Sequence, residues 1–268
     1  MNSFLDELNE VEIDPTGLCN LTCNFCPRAT FYPNTNNHMS DHVADTIIQQ
    51  MLDFDFRGIV SITGKGEPTL HNDFENLVKK FSVGKWILKI NTNGKRFDKY
   101  KDVIVDNFHT VFYNCYEFTE QQYRDKVEEL SPYKNVVVKW RPNNIQWFED
   151  APRYTNRAGS FETNYVPDEK RCDVIFHKMF IDYNGVYRLC CEDWQHELTM
   201  GNIFDEPISE YIENNPILKQ YRKNLVEGIR DDIPCNKCSY SLADFKYRTT
   251  LEKMEQYKWL VKAENLGV

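Results

Sequence analysis

The chain has 268 residues, 41% of them hydrophobic, and its 41 acidic against 32 basic side chains leave a formal net charge of −9. That sign repels nucleic acid phosphates and anionic lipid, and no stretch approaches the roughly 18 consecutive apolar residues of a membrane span. The opening, MNSFLDELNE, lacks the basic and apolar regions of a signal peptide. The expectation is a cytoplasmic protein with a small-molecule or protein partner, large enough for a main domain and an appendage.

In chain order, the first 145 residues alternate short β-rich runs with helical patterns, as a parallel sheet with crossover helices does. Strands are expected at Val11–Ile13, Gly58–Gly64, Trp86–Asn93, Thr110–Glu117 and Asn135–Arg141. A helix is expected over SDHVADTIIQQML, capped by Ser40 and presenting Val43, Ile47, Ile48 and Met51 on one face. Further helices are expected at Asp73–Phe81, Lys99–Asn107 and Thr119–Leu130. Five such repeats make a partial barrel whose chemistry sits on the loops after the strand C-termini. Near Ala151 the composition changes, and APRYTNRAGSFETNYVPDEK reads as a linker or substrate loop. KMFIDYNGVYRLC then reads as a β-hairpin turning at Asn184-Gly185. Helical segments follow at Ile208–Ile212 and Leu218–Val226, interrupted at Asn214-Asn215-Pro216, and a packing helix is expected around Leu251, Met254, Leu260 and Val261.

Nine cysteines, an odd number, cannot pair off completely as disulfides. Cys19, Cys23 and Cys26 form C-x3-C-x2-C on the first loop; Cys172, Cys190, Cys191, Cys235 and Cys238 lie late; Cys115 stands alone. Three close thiolates suit three irons of a [4Fe-4S] cube and leave the fourth open for an exogenous ligand. Structural zinc asks for a fourth ligand, which this loop does not offer nearby.

At this point CNLTCNFC, with Phe25 as the aromatic, resembles the signature of the radical S-adenosylmethionine enzymes. The resemblance implies that S-adenosylmethionine chelates the open iron and is cleaved to a 5′-deoxyadenosyl radical. TGKGEP, carrying Gly66 and Glu67, is similar to the family's GGEP segment, with Lys65 where the family usually has glycine. NTNG, with Asn91 and Asn93, is similar to its ribose-contacting TNG. The resemblance implies that Glu67 accepts the methionyl ammonium and that Asn114 and Arg141 are further cofactor contacts; for each, a polar strand end facing water is the alternative.

Cys172, Cys190, Cys235 and Cys238 resemble the ligand set of a twitch domain, a shortened SPASM-like domain with one auxiliary [4Fe-4S] cluster; spacing alone leaves a four-cysteine zinc site open. NRAG and CCEDW resemble segments that contact substrate in compact twitch dehydrogenases, implying Arg157 and Glu192 in a pocket for a polyhydroxylated or amino-bearing ring; an ion pair from Arg157 to Glu192 or Asp193 bracing the linker is the alternative. The expected organisation is an α/β fold: a radical SAM partial (β/α) TIM-like barrel over 1–150, a linker over 151–170, a twitch domain of hairpin plus helix over 171–243, and a C-terminal helix over 244–268. The favoured function is oxidation of a secondary alcohol on a sugar-like or aminocyclitol-like metabolite, with electrons from flavodoxin or ferredoxin. An epimerase using Cys115 or Cys191 as hydrogen donor, a peptide-modifying maturase, and a non-catalytic iron-sulfur or zinc scaffold are the alternatives. Against the maturase, the motif begins at residue 19, leaving no room for a leader-binding domain; against the scaffold stand the segments of Glu67 and Asn93.

Overall fold

The computed structural model describes residues 3–23, 25–29, 32–141, 155–162, 170–240, 254 and 256–258. The chain divides into two units: one comprises Glu10–Asn144 and Ile181–Val186, the other Met1–Asn9, Ile145–Phe180 and Tyr187–Val268.

The first unit is built on five strands, β1 (Glu10–Ile13), β2 (Ile59–Ile62), β3 (Ile87–Thr92), β4 (Thr110–Cys115) and β5 (Val136–Trp140). They lie in the order β5-β4-β3-β2-β1, each neighbouring pair parallel. Registers such as Ile13↔Ile62 and Ile62↔Ile90 stack the buried aliphatic residues of successive strands on one face. The other face is polar, because Glu12, Ser61, Lys89 and Thr110 lie in register there, and Lys89 Nζ pairs with Glu10 Oε1 at 2.6 Å. Crossover helices α2 (Asp41–Asp53), α3 (Phe74–Phe81), α4 (Phe97–Asn107) and α5 (Glu120–Leu130) separate the strands. Ser40 Oγ caps α2 by accepting from Val43 N–H, and α2 buries Val43, Ala44, Ile47, Ile48 and Met51. This is the open, parallel-dominated α/β sheet of a partial barrel. Because every strand runs the same way, the loops after β1 to β5 gather at one edge.

The second unit begins with a four-residue helix, α1 (Phe4–Glu7), and also contains Val174–His177, Ile208–Asn214 and Pro216–Val226. Asn215 ends one of the last two helices and caps the next, its Oδ1 accepting from Ile217 and Leu218 N–H. The core is aromatic: Phe176 stacks on Tyr257 at 4.3 Å between centroids, Tyr187 on Tyr211 at 3.9 Å. Fully buried Arg222 lays its guanidinium over Phe4 at 3.9 Å. The strands Lys178–Ile181 and Tyr187–Arg188 flank a turn whose residues, Ile181–Val186, belong to the first unit; in it Asp182 N–H donates to Val186 C=O and Gly185 takes φ +76°. Of the expected C-terminal packing helix, Met254 and residues 256–258 are helical; Leu251, Leu260 and Val261 lie outside the described residues, as do 151–154 and 163–169 of the expected linker. Among the described residues no helix is long and apolar enough to cross a membrane.

Candidate active site

The loop after β1 is held in shape by its neighbours. Asn34 clamps Cys19 from both sides, Oδ1 accepting from its N–H at 2.8 Å and Nδ2 donating to its carbonyl at 3.1 Å. Cys26 N–H donates to the Cys23 carbonyl. Arg28 donates to Asn34 Oδ1, to the Gly17 carbonyl and to the Lys65 carbonyl, tying this loop to the segment after β2. Burial pushes the Cys19 thiol up, and pushes Cys23 up to about 12; the charge of Cys26 adds to the rise at both. Thiols that raise one another stand close together, and binding iron relieves that repulsion as the protons leave. The Phe25 ring packs at a tilt against Tyr116, with centroids 5.6 Å apart.

Glu67 is the hub of the next two loops. Its Oε1 accepts from Thr69 N–H and Oγ1 and from Thr92 Oγ1, and its Oε2 accepts from Asn93 N–H at 2.7 Å. Burial raises its pKa, opposed first by the Asn93 bond. Glu67 N–H donates to the Leu18 carbonyl, so the same residue joins the loops after β1, β2 and β3. Asn93 donates through Nδ2 to Asn20 Oδ1 at 2.8 Å. Gly66 is required sterically, since a Cβ there would overlap the carbonyl oxygens of Thr16 and Leu18. Asn91 is half-buried on β3. Arg141 Nε donates to Asn114 Oδ1 at 3.2 Å, and Asn114 Nδ2 donates to the Thr92 and Phe112 carbonyls.

In the second unit, Cys172, Cys190, Cys235 and Cys238 line one cavity, with Val174, Ile175, Leu189 and Leu225 among its other walls. Burial pushes Cys172 and Cys190 well up, Cys235 up to about 12 and Cys238 up to about 11. Zinc–sulfur bonds of about 2.3 Å put tetrahedral sulfurs about 3.8 Å apart, whereas a cube spreads its thiolates over four irons. Among the described residues no group of three or more His, Cys, Asp or Glu is placed to hold a single metal ion. Four thiol donors around a largely apolar cavity have the chemistry an iron-sulfur cube needs.

Glu192 lines this cavity as well and accepts from Arg157 Nη1 at 3.0 Å and from Thr155 Oγ1. The half-buried Cys191 thiol lies 3.8 Å from Glu192 Oε1, while Cys115 is fully buried, its thiol pushed up to about 11 by burial. Arg157, Ala158 and Gly159 take consecutive positive φ values of 51°, 48° and 88°. The Ala158 amide opposes the burial that raises the Cys238 thiol, and Tyr240 N–H donates to the Cys238 sulfur at 3.4 Å. Asn156 fastens the turn: its N–H donates to Ser239 Oγ, its Nδ2 to the Lys237 carbonyl, and its Oδ1 accepts from Ser239 N–H. Sequence reading named Arg157 and Glu192, which the structure joins in the ion pair given as the alternative to a substrate pocket, and did not name Thr155, Asn156, Ser239 or Arg28. The asparagine of NRAG was the available signal, since Asn favours left-handed turns and local backbone bonds.

Residues 13–164 match the radical SAM superfamily and residues 172–239 an iron-sulfur cluster-binding domain of the SPASM type. The chain belongs to the radical SAM superfamily, and its cofactors are S-adenosylmethionine, a [4Fe-4S] cluster and an auxiliary iron-sulfur cluster. Among individual proteins, it is 23% identical over 265 residues to the S-adenosyl-L-methionine-dependent 2-deoxy-scyllo-inosamine dehydrogenase of Niallia circulans, covering 94% of this chain and 97% of that one. Its fold is similar to that of BtrN in complex with AdoMet and 2-DOIA, with a TM-score of 0.73, 22% identity, and 90% and 97% of the two chains covered. It is also similar to native anSMEcpe with bound AdoMet, with a TM-score of 0.57, 13% identity, and 96% and 97% covered.

Proposed function

We propose that the protein oxidises a secondary alcohol of a small polar metabolite, of the sugar or aminocyclitol class, to a ketone. Cys19, Cys23 and Cys26 hold the radical cluster, and Cys172, Cys190, Cys235 and Cys238 the auxiliary one. The observation that carries this reading is Glu192 on the wall of the four-cysteine cavity, its carboxylate held at 3.0 Å by Arg157; the same ion pair is the brace expected of the alternative, so the reading requires Arg157 to exchange it for substrate. Likeness along nearly the whole chain to a dehydrogenase of 2-deoxy-scyllo-inosamine supports the substrate class.

When bound, the radical cluster and S-adenosylmethionine supply a 5′-deoxyadenosyl radical that removes hydrogen from carbon. Phe25, Asn91, Asn93, Asn114 and Arg141 hold the nucleoside and methionyl groups, and Gly66 lets the segment of Glu67 approach the cluster loop. Glu67 acts chiefly as the brace of that cleft, with its ammonium-binding capacity left to Oε2, which accepts one hydrogen bond against three at Oε1. Arg157 donates to the substrate hydroxyl and steadies the oxyanion as its proton leaves; a guanidinium with a pKa above about 12 is a donor and not a base. Glu192 accepts from a ring amine or hydroxyl once Arg157 turns to substrate. A flavodoxin or ferredoxin supplies the reducing electron.

Arg157→Lys keeps the charge and loses the planar fork. It should cut ketone formation at least tenfold while uncoupled 5′-deoxyadenosine release, followed by chromatography under argon, changes less than twofold. Equal loss of both products would remove Arg157 from the substrate pocket.

A further inference from the structure

The wall of the four-cysteine cavity carries one more charged residue, Arg230. It arrives there by a helix-ending turn: after Pro216–Val226, Gly228 takes φ +73° and Ile229 N–H bonds back to the Asn224 carbonyl at 2.8 Å. A left-handed glycine with that six-to-one bond is how a helix reverses its course. The guanidinium then donates to three main-chain carbonyls: Nε to Lys170 at 2.5 Å, Nη1 to Cys238 at 3.1 Å and Nη2 to Arg171 at 3.3 Å. One of these belongs to a cavity cysteine, and the other two immediately precede Cys172.

None of these bonds goes to a carboxylate, so among the described residues Arg230 spends its donors on neutral oxygens and keeps its full positive charge. The acid on the same wall, Glu192, is already matched by Arg157. An oxidised cube with four thiolates is doubly negative overall, and reduction makes it triply negative. A fixed cation beside it favours the reduced form more than the oxidised one.

We propose that Arg230 is the counter-ion of the auxiliary cluster and raises its reduction potential, fitting it to take the electron that substrate oxidation releases. The proposal rests on the cysteine assignment and on the dehydrogenase reading. In that reaction the carbon-bound hydrogen atom goes to the 5′-deoxyadenosyl radical, the hydroxyl proton to solvent and the remaining electron to the oxidised auxiliary cluster. A ketone and a cluster reduced by one electron result.

The test uses the full chain with Cys19, Cys23 and Cys26 all changed to Ala, leaving the auxiliary cluster alone, and reads its potential by spectroscopically followed reduction with dithionite. Against that parent, Arg230→Gln should weaken the reduction equilibrium at least tenfold, a fall of about 59 mV for a one-electron couple. Arg230→Lys, which keeps the charge and loses the fork, should stay within about threefold. A Gln variant within threefold of the parent overturns the proposal. So does a Lys variant that falls tenfold, since geometry and not charge would then set the potential; if the Gln variant does not retain iron, the Lys variant decides in the same way. A parent that binds far fewer than about four irons speaks against the cysteine assignment instead, and leaves a different signature from a loaded cluster with an unmoved potential.

Discussion

Asp14, one residue beyond the end of β1, is buried beneath the loop after β2, so closely that a Cβ on Gly64 would overlap its carboxyl group. Burial is the largest influence on it and raises its pKa to about 7; the Lys65 and Gly66 amides and the Lys65 charge oppose the rise, and Asp182 adds to it. Folding therefore favours the protonated acid. The contribution is complete below the ordinary carboxylate value near 4 and is lost as pH climbs towards about 7. Asp14→Asn keeps the shape without the ionisation. We expect its thermal midpoint, measured anaerobically with clusters loaded, to exceed the parent's by a margin that grows from pH 5 to pH 8. Identical pH dependence in the two proteins would show that Asp14 stays ionised throughout. Neither this acid nor Arg230 was legible in the sequence, because each owes its role to neighbours brought in by folding.

The regular elements were legible wherever periodicity and caps agree. α2 begins where Ser40 predicts and buries Val43, Ile47, Ile48 and Met51 as expected, and each of the five expected strands is found, β1 one residue longer than expected and the other four trimmed at one or both ends. The four-residue helices Phe4–Glu7 and Val174–His177 were not legible, since four residues are too few to show a period. The loops were legible by motif, but their strain was not. Lys65 replaces the family's usual glycine without cost, because the steric demand falls on the residues either side: Gly64 has φ +111°, and Gly66 packs on two carbonyls of the cysteine loop. Lys65 instead offers its carbonyl to Arg28 and sets its ammonium 5.4 Å from the Tyr32 ring centroid. Gly66→Ala should push the loops after β1 and β2 apart and break the bond from Glu67 N–H to Leu18. We expect at least tenfold weaker S-adenosylmethionine binding, measured by equilibrium dialysis, with the auxiliary cluster retained. Unchanged affinity would mean that the two loops need not touch for the cofactor to bind.

For the molecule as a whole, the proposed dehydrogenase reading divides the work of its two iron-sulfur sites between starting a radical and disposing of an electron. A chain with Cys235→Ala and Cys238→Ala that still folds should release 5′-deoxyadenosine yet yield no ketone; undiminished ketone would deny the auxiliary site its electron. The two cysteines outside both groups separate the dehydrogenase from an epimerase. Cys115 is fully buried on β4, and Cys191 lies against Glu192, the better placed of the two to meet a substrate radical. An epimerase has to return a hydrogen atom to carbon, and a thiol donor exchanges with solvent, so turnover in deuterated water would write deuterium into the inverted centre. A dehydrogenase returns nothing to that carbon: it removes two electrons and two hydrogens in all. We expect mass spectrometry to find a ketone without carbon-bound deuterium at the reacting centre, once exchange beside the carbonyl is accounted for. Cys115→Ser and Cys191→Ser should each retain at least about half the parent rate, because neither thiol is consumed. Deuterium at an inverted carbinol carbon, lost together with activity in Cys191→Ser, would install that thiol as hydrogen donor and replace the dehydrogenase by an epimerase.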